Sequence, residues 1–366
     1  MPDPRVEKLA KVLVSYSLSL QPGEEFVMSA PSLAEELSLA VYKEAVLAGA
    51  HVLAFNDLTG RDEIFFKYAN DAQLDYDSPF DRFIVERYTA SLYIGAPENT
   101  RALSGIDPAR MARAGRAQAE TRKLFQQRAA RGELKWCYTI YPTHAGAQEA
   151  DMSLSEYQDF VYGAGLLDLD DPVAAWRAEA ERQRCLIRWL DGRDQVTIKG
   201  SNVDVRMSIK GRKFVESAGT HNFPSGEIFT GPVESSVEGW VRFSYPGIFG
   251  GQEIEDIELW FEEGKVVREK AAKGQELLTE LLNTDAGSRF LGEWGIGTNY
   301  QIQRFTKNML FDEKIGGTIH FAVGMGYPES GSQNESAIHW DMLCDMADSE
   351  VAIDGDLFYK NGQFVV

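Results

Sequence analysis

Cysteine is scarce in this chain, and histidine nearly as rare. The three cysteines, Cys137, Cys185 and Cys344, stand far apart, and no CxxC pair occurs. That pattern excludes a disulfide framework and a zinc–thiolate site, and suits buried thiols in a reducing compartment. No apolar run approaches the roughly 18 residues that a membrane-spanning helix needs. The opening MPDPRVEKLA carries no apolar segment of the secretory kind, so a cytoplasmic location is expected. The sequon Asn334-Glu335-Ser336 is idle without secretion. Positive charge is also in short supply: 37 Lys and Arg face 56 Asp and Glu, a formal net charge of -19. A surface of that sign repels nucleic acid and anionic membrane, and neither is expected as a partner.

What remains is ordinary globular material. The 366 residues are 44% hydrophobic and 25% charged, enough for a substantial core and for two domains. The first half alternates helix and strand. Val6, Leu9, Ala10, Leu13 and Val14 have helical spacing, as do Leu33, Leu37, Ala40, Val41 and Ala45. EEFVMSA (24–30), HVLAFND (51–57), ASLYIGA (90–96) and LKWCYTI (134–140) read as strands. The second and third, nearly continuous in apolar character, are expected to be covered on both faces. Asp107-Pro108 and Asp171-Pro172 each look like an N-cap with proline at the first helical position, opening helices to about 131 and 190. Strands separated by helices imply a mostly parallel sheet.

The character changes near residue 194. VTIKG, VDVRMSI, GWVRFSYP, IEDIELWF and KVVREK read as alternating strands punctuated by glycine, with one helix at about 273–283. The fold class expected is α/β: an N-terminal α/β domain over 1–193, followed by a β-rich α+β domain over 194–366 that carries the chemistry.

Of the five histidines, His51, His144, His221, His320 and His339, two lie beside carboxylates in the last third. His339-Trp340-Asp341 is an H-x-D in an extended stretch, 337–344, where residues i and i+2 share a face. His320 follows a Gly-Gly turn. Glu227 in SGEIFTGP and Glu293 in LGEWGIGTN are flanked by glycine, which reads as carboxylates held at turns. Each residue alone fits a surface or packing role. Together, three carboxylates and two imidazoles suit zinc, cobalt, manganese or magnesium, and are about what two such ions need. Asp312, Glu313 and Lys314 either orient ligands or form a charged turn. Thr298 and Asn299 leave the same choice open. His51 reads as structural. His144 and His221 are candidates for an approach to the site without binding metal. GIGTN and GMGYPESG lack the strand–turn–helix context of a phosphate loop, and no G-x-S-x-G supports a serine nucleophile.

Four stretches, SGEIFTGPVESSVEGWVRFSYP, RFLGEWGIGTN, NMLFDEKIGGTIHFAVGMGYPESG and AIHWDMLCD, closely resemble the aminopeptidase T family of thermophilic metallopeptidases. The milder YPTHAGAQEADMSLSEYQDFVY (141–162) does so too, and the resemblance spans nearly the whole chain. It implies metal ligands at Glu227, Glu293, His320, His339 and Asp341, a functional tyrosine at Tyr327, peptide substrates and a homodimer. The implied chemistry is release of N-terminal residues by a water activated between two divalent ions, with Glu293 as a candidate proton carrier. The connection from Tyr327 to His339 is shorter than in some family members, so substrate preference does not carry over. Two alternatives stand beside this. His320, His339 and Asp341 alone would form the two-histidine, one-carboxylate set of an iron(II) ring-cleaving dioxygenase, for which Glu227 and Glu293 are not needed. A non-catalytic metal- or peptide-binding protein on the same scaffold is the other.

Overall fold

The computed structural model describes residues 3–366. They divide into two compact units, one running as far as residue 175 and including 219–224, the other of 176–218 with 225–366. In sequence, the division after residue 175 falls within the helix Pro172–Leu190.

The first unit is built on a five-stranded sheet in the order His51–Asp57, Glu25–Pro31, Ala90–Gly95, Lys135–Ile140 and Asn222–Phe223. Every neighbouring pair in it is parallel, which requires the intervening helices as crossovers. The helix Pro4–Val12 starts on Asp3, whose carboxylate accepts from the Arg5 N–H at 2.9 Å, and it continues as a π-helical turn over Leu13–Ser17. Its expected apolar face is buried throughout. In the helix Glu35–Leu47, Leu37, Ala40, Val41 and Ala45 are buried, but Leu33 lies in the preceding 3-10 turn and is exposed. Both Asp-Pro starts form as read: Asp107 accepts from the Ala109 N–H at 2.9 Å and Asp171 from the Ala174 N–H at 3.0 Å. The first of these helices is interrupted at Gln118, giving Pro108–Ala117 and Ala119–Ala130.

Two expectations need correction. The strand His51–Asp57 is not covered on both faces; it is the sheet edge, and none of its residues is fully buried. Apolar runs do not distinguish an edge strand from a central one, because position in the sheet is set by topology. Of the three free cysteines, Cys137 and Cys344 are buried but Cys185 is exposed, on a helix whose Arg188 reaches its sulfur at 3.0 Å.

The second unit is β-rich. An eight-stranded antiparallel sheet and a five-stranded antiparallel sheet contribute side chains to one hydrophobic core. Val196, Ile198, Val205, Val241 and Leu259 come from the first sheet. Ile228, Trp294, Ile296, Phe321, Val323 and Trp340 come from the second. Each fully buried side chain of this kind is worth about 1.5–3 kcal/mol against exposure. The five-stranded sheet has the order His339–Asp345, Thr318–Gly324, Leu291–Gly297, Glu227–Thr230, Val215–Ser217. Alternation along its strands sends every second residue away from the core, and those residues form the other face.

Candidate metal centre

That other face carries the chemistry. Across the sheet, Asp341 pairs with Ala322 and Ala322 with Glu293. His339 pairs with Gly324, His320 with Gly295 and Glu227 with Gly297. Each functional side chain therefore stands beside a residue that has little or no side chain of its own, and the space over the small residues is filled by imidazole and carboxylate.

Glu293 reaches this face through an irregularity. Leu291 is in the core, and residues two apart in a strand should share a face. The register shifts between Leu291 and Glu293, and that bulge turns the carboxylate outward. Gly292 makes it possible: a Cβ there would lie 2.3 Å from the Gly324 carbonyl oxygen. Glu227 follows Gly226, whose φ of +131° and closeness to Asn299 suit glycine alone. Both carboxylates are buried in strands, at 5% and 4% exposure, and not held at turns as the flanking glycines suggested.

Five residues converge. Ligand atoms of Glu227, Glu293 and His320 lie within 4.8 Å of one another, and so do those of Glu293, His339 and Asp341. Glu293 belongs to both groups. His320 Nε2 is 3.1 Å from Glu293 Oε1 and 3.3 Å from Glu227 Oε2; His339 Nε2 is 3.5 Å from Asp341 Oδ2 and 3.8 Å from Glu293 Oε2. His339 Nδ1 is 2.7 Å from the Met325 carbonyl oxygen. Donation there leaves the Nε2 lone pair facing the carboxylates, as a metal-binding histidine requires.

The electrostatics are those of a site short of cations. Burial pulls His339 down, but Asp341 and Glu293 outweigh it and push it up to about 10. His320 is likewise raised by Glu293 and Glu227 against its burial. Burial raises Glu293, whereas His339 more than offsets burial at Asp341 and holds it at about 2. One oxygen of each carboxylate, Glu227 Oε2, Glu293 Oε2 and Asp341 Oδ1, is buried without a hydrogen bond. Three such orphaned acceptors beside two imidazoles fit divalent cations. Tyr327 lies at the edge of the cluster, its ring centroid 4.9 Å from His339 and 5.6 Å from Phe229. Burial, then Glu293, raises its hydroxyl well above the ordinary phenol range, so it stays a donor.

A model of the thermophilic metalloprotease family, M29, matches residues 2–364. The chain belongs to this family. It is thus a hydrolase of a metal-dependent class. Among the relatives of this M29 chain, aminopeptidase 2 of Geobacillus stearothermophilus is 27% identical over 387 residues, covering 94% of this chain and 93% of its own. Aminopeptidase T of Thermus thermophilus is 27% identical over 398 residues, covering 98% and 95%. The solved structure of wild-type AmpT from Thermus thermophilus superposes with a TM-score of 0.86 at 25% identity, over 99% of both chains. That match extends the α/β plus β-rich architecture to the M29 fold. Neither the dioxygenase nor the non-catalytic alternative draws support from these matches.

Several contributors are left without a role by the sequence alone. Gly295, Gly297, Ala322 and Gly324 are visible as small residues, but only strand pairing shows that they face the functional side chains. Asn299 donates from Nδ2 to the Ser225 carbonyl at 2.9 Å and accepts Gly226 against its Cβ, fixing the approach to Glu227. Thr298 donates to Glu179 at 2.9 Å and accepts from Gln183 at 3.1 Å. His221 packs on Trp136 at 4.8 Å in the first unit, where His144 begins the helix His144–Glu149 and His51 is exposed on the sheet edge.

Asp312 and Lys314 are no exposed turn; both are fully buried. Asp312 Oδ1 accepts from the Thr306 N–H at 2.7 Å and its hydroxyl at 2.8 Å, while Oδ2 has no partner. Burial pushes this acid up to about 7 despite those donors. A raised acid favours the folded state while it is protonated. Its contribution is complete below about pH 4 and is lost as pH rises through 7. Between pH 5 and 8 the loss is on the order of 3 kcal/mol. Asp312→Asn keeps the Thr306 contacts without that titration. Urea unfolding at pH 5 and pH 8 should show the wild type losing stability relative to the variant; parallel profiles would contradict the assignment.

Proposed function

We propose that this M29 protein is an aminopeptidase that hydrolyses N-terminal residues from peptides at two divalent ions held by Glu227, Glu293, His320, His339 and Asp341. The observation that supports it is the sharing of Glu293 between two ligand groups on one sheet face. When bound, the ions would supply a water activated near neutral pH, a Lewis acid for the scissile carbonyl and a seat for the free α-amino group. Zinc, cobalt, manganese and magnesium all suit these donors.

The chain's own residues do the rest. The Met325 carbonyl holds His339 in one tautomer and one orientation. Tyr327, kept protonated by its surroundings, donates a hydrogen bond to the oxyanion that develops on the scissile carbonyl. Where one of its oxygens is not taken up by an ion, Glu293 passes a proton from the attacking water to the leaving amine. An acylated terminus has no amine lone pair to offer an ion, so the site favours a free N-terminus.

The test is metal-dependent release of free amino acid. Chelator-treated protein is incubated with a leucyl peptide and its N-acetylated counterpart, with zinc, cobalt or manganese added back. Cleavage restricted to the free-amine peptide and restored by a divalent ion is the expected result. Equal cleavage of both peptides, or none with any ion, would reject the proposal.

A further inference from the structure

Lys314 is one of the largest fully buried side chains, at 0% exposure. A buried ammonium is costly unless it is paired. Its Nζ lies 2.9 Å from Glu227 Oε1 and also contacts Glu313. The backbone fixes it on the same side: the Lys314 carbonyl accepts from the Asn299 N–H at 3.1 Å, and Asn299 holds the segment leading into Glu227. Glu227 is thereby divided. Oε1 is tied to the ammonium, whereas Oε2, buried and without a hydrogen bond, faces His320 Nε2.

We propose that Lys314 is a positioning residue: it holds Glu227 so that a single oxygen is presented to the ion of the Glu227, Glu293 and His320 group. The inference rests on the two-ion reading above. Two effects oppose each other when the ammonium is removed. Loss of a like charge favours a bound cation, and loss of the tether frees Glu227 to turn away. The tether dominates, because the ammonium is already shared by two carboxylates and has little net charge to repel a cation.

The experiment is titration of chelator-treated full-length protein with Co2+, read by calorimetry and by visible d–d absorption. Wild type should take up two equivalents. Lys314→Met should bind one of them about 10- to 100-fold more weakly, with altered absorption for that equivalent only. The equivalent that remains also shows that the variant has folded. Lys314→Gln, which keeps a donor of shorter reach, should fall between them and serves if Lys314→Met does not fold. Glu227→Gln should lose the same equivalent, and adding Lys314→Met to it should change nothing further. Unchanged or tighter binding of both equivalents in Lys314→Met, or a further loss in the double variant, would overturn the role of Lys314 and leave the two-ion reading standing. Uptake of fewer than two equivalents by wild type would overturn both.

Discussion

Glu293→Gln is expected to lower kcat/KM for a leucyl peptide by on the order of 10³-fold or more, while the metal-free protein stays at least as stable as wild type. The two halves of this result have one cause. Glu293 is the group common to both ligand clusters, so its carboxylate is the single charge whose loss weakens both. The same carboxylate is buried, has one oxygen without a hydrogen bond, and is raised by desolvation. A buried acid of this kind is a cost to the fold in the absence of a cation, and a neutral amide of the same shape relieves it. Activity and thermal unfolding of the chelator-treated variant check the two halves together. Wild-type-like turnover would remove Glu293 from the chemistry. A collapse of the metal-free fold would mean that it serves as a structural partner of His320 alone.

Gly295→Ala is the smallest change with a comparable effect. Gly295 lies directly across from His320, and a Cβ on it would fall 2.0 Å from Nε2 and 2.1 Å from Cε1 of the imidazole. These atoms cannot coexist, and His320 is fully buried in a strand between two others. The ring must tilt out of the Glu227 and Glu293 cluster. Misplacement by about 1 Å costs on the order of 10²-fold in rate, and overpacking costs about 1–3 kcal/mol in stability. We expect kcat/KM to fall by about 10²-fold or more, with weaker uptake of one metal equivalent and a modest drop in Tm. Alanine at the exposed turn glycine Gly355 offers no such clash with a neighbour, although its φ of +88° makes it a strain control. Equal kinetic loss in both variants would mean that Gly295 acts through stability and not through His320.

The sequence was legible where chemistry and periodicity coincide. His339 and Asp341 are two residues apart in an extended run, and strand geometry alone places them on one face, as the structure does. Asp-Pro helix starts and the switch from helix–strand alternation to glycine-punctuated strands followed from local rules. Glu293 was harder to read. Its flanking glycines suggested a turn, but they serve a bulge in a central strand, and a bulge is visible only once its partner strand is known. Lys314 sits beside Asp312 and Glu313 in a run that reads equally well as a solvated turn. Its burial depends on Glu227, 87 positions earlier in the chain, which no local pattern reports. The edge strand His51–Asp57 shows the same limit, since its apolar run does not reveal what lies beyond it.

The most direct test of the account is the dependence of activity on metal stoichiometry. Chelator-treated protein would be titrated with zinc or cobalt while bound metal and release of leucine from a free-amine peptide are followed in the same samples. Two equivalents should bind per chain, with full activity only as the second is filled. Full activity at one equivalent, with no further metal bound, would contradict a site in which Glu293 serves two ions.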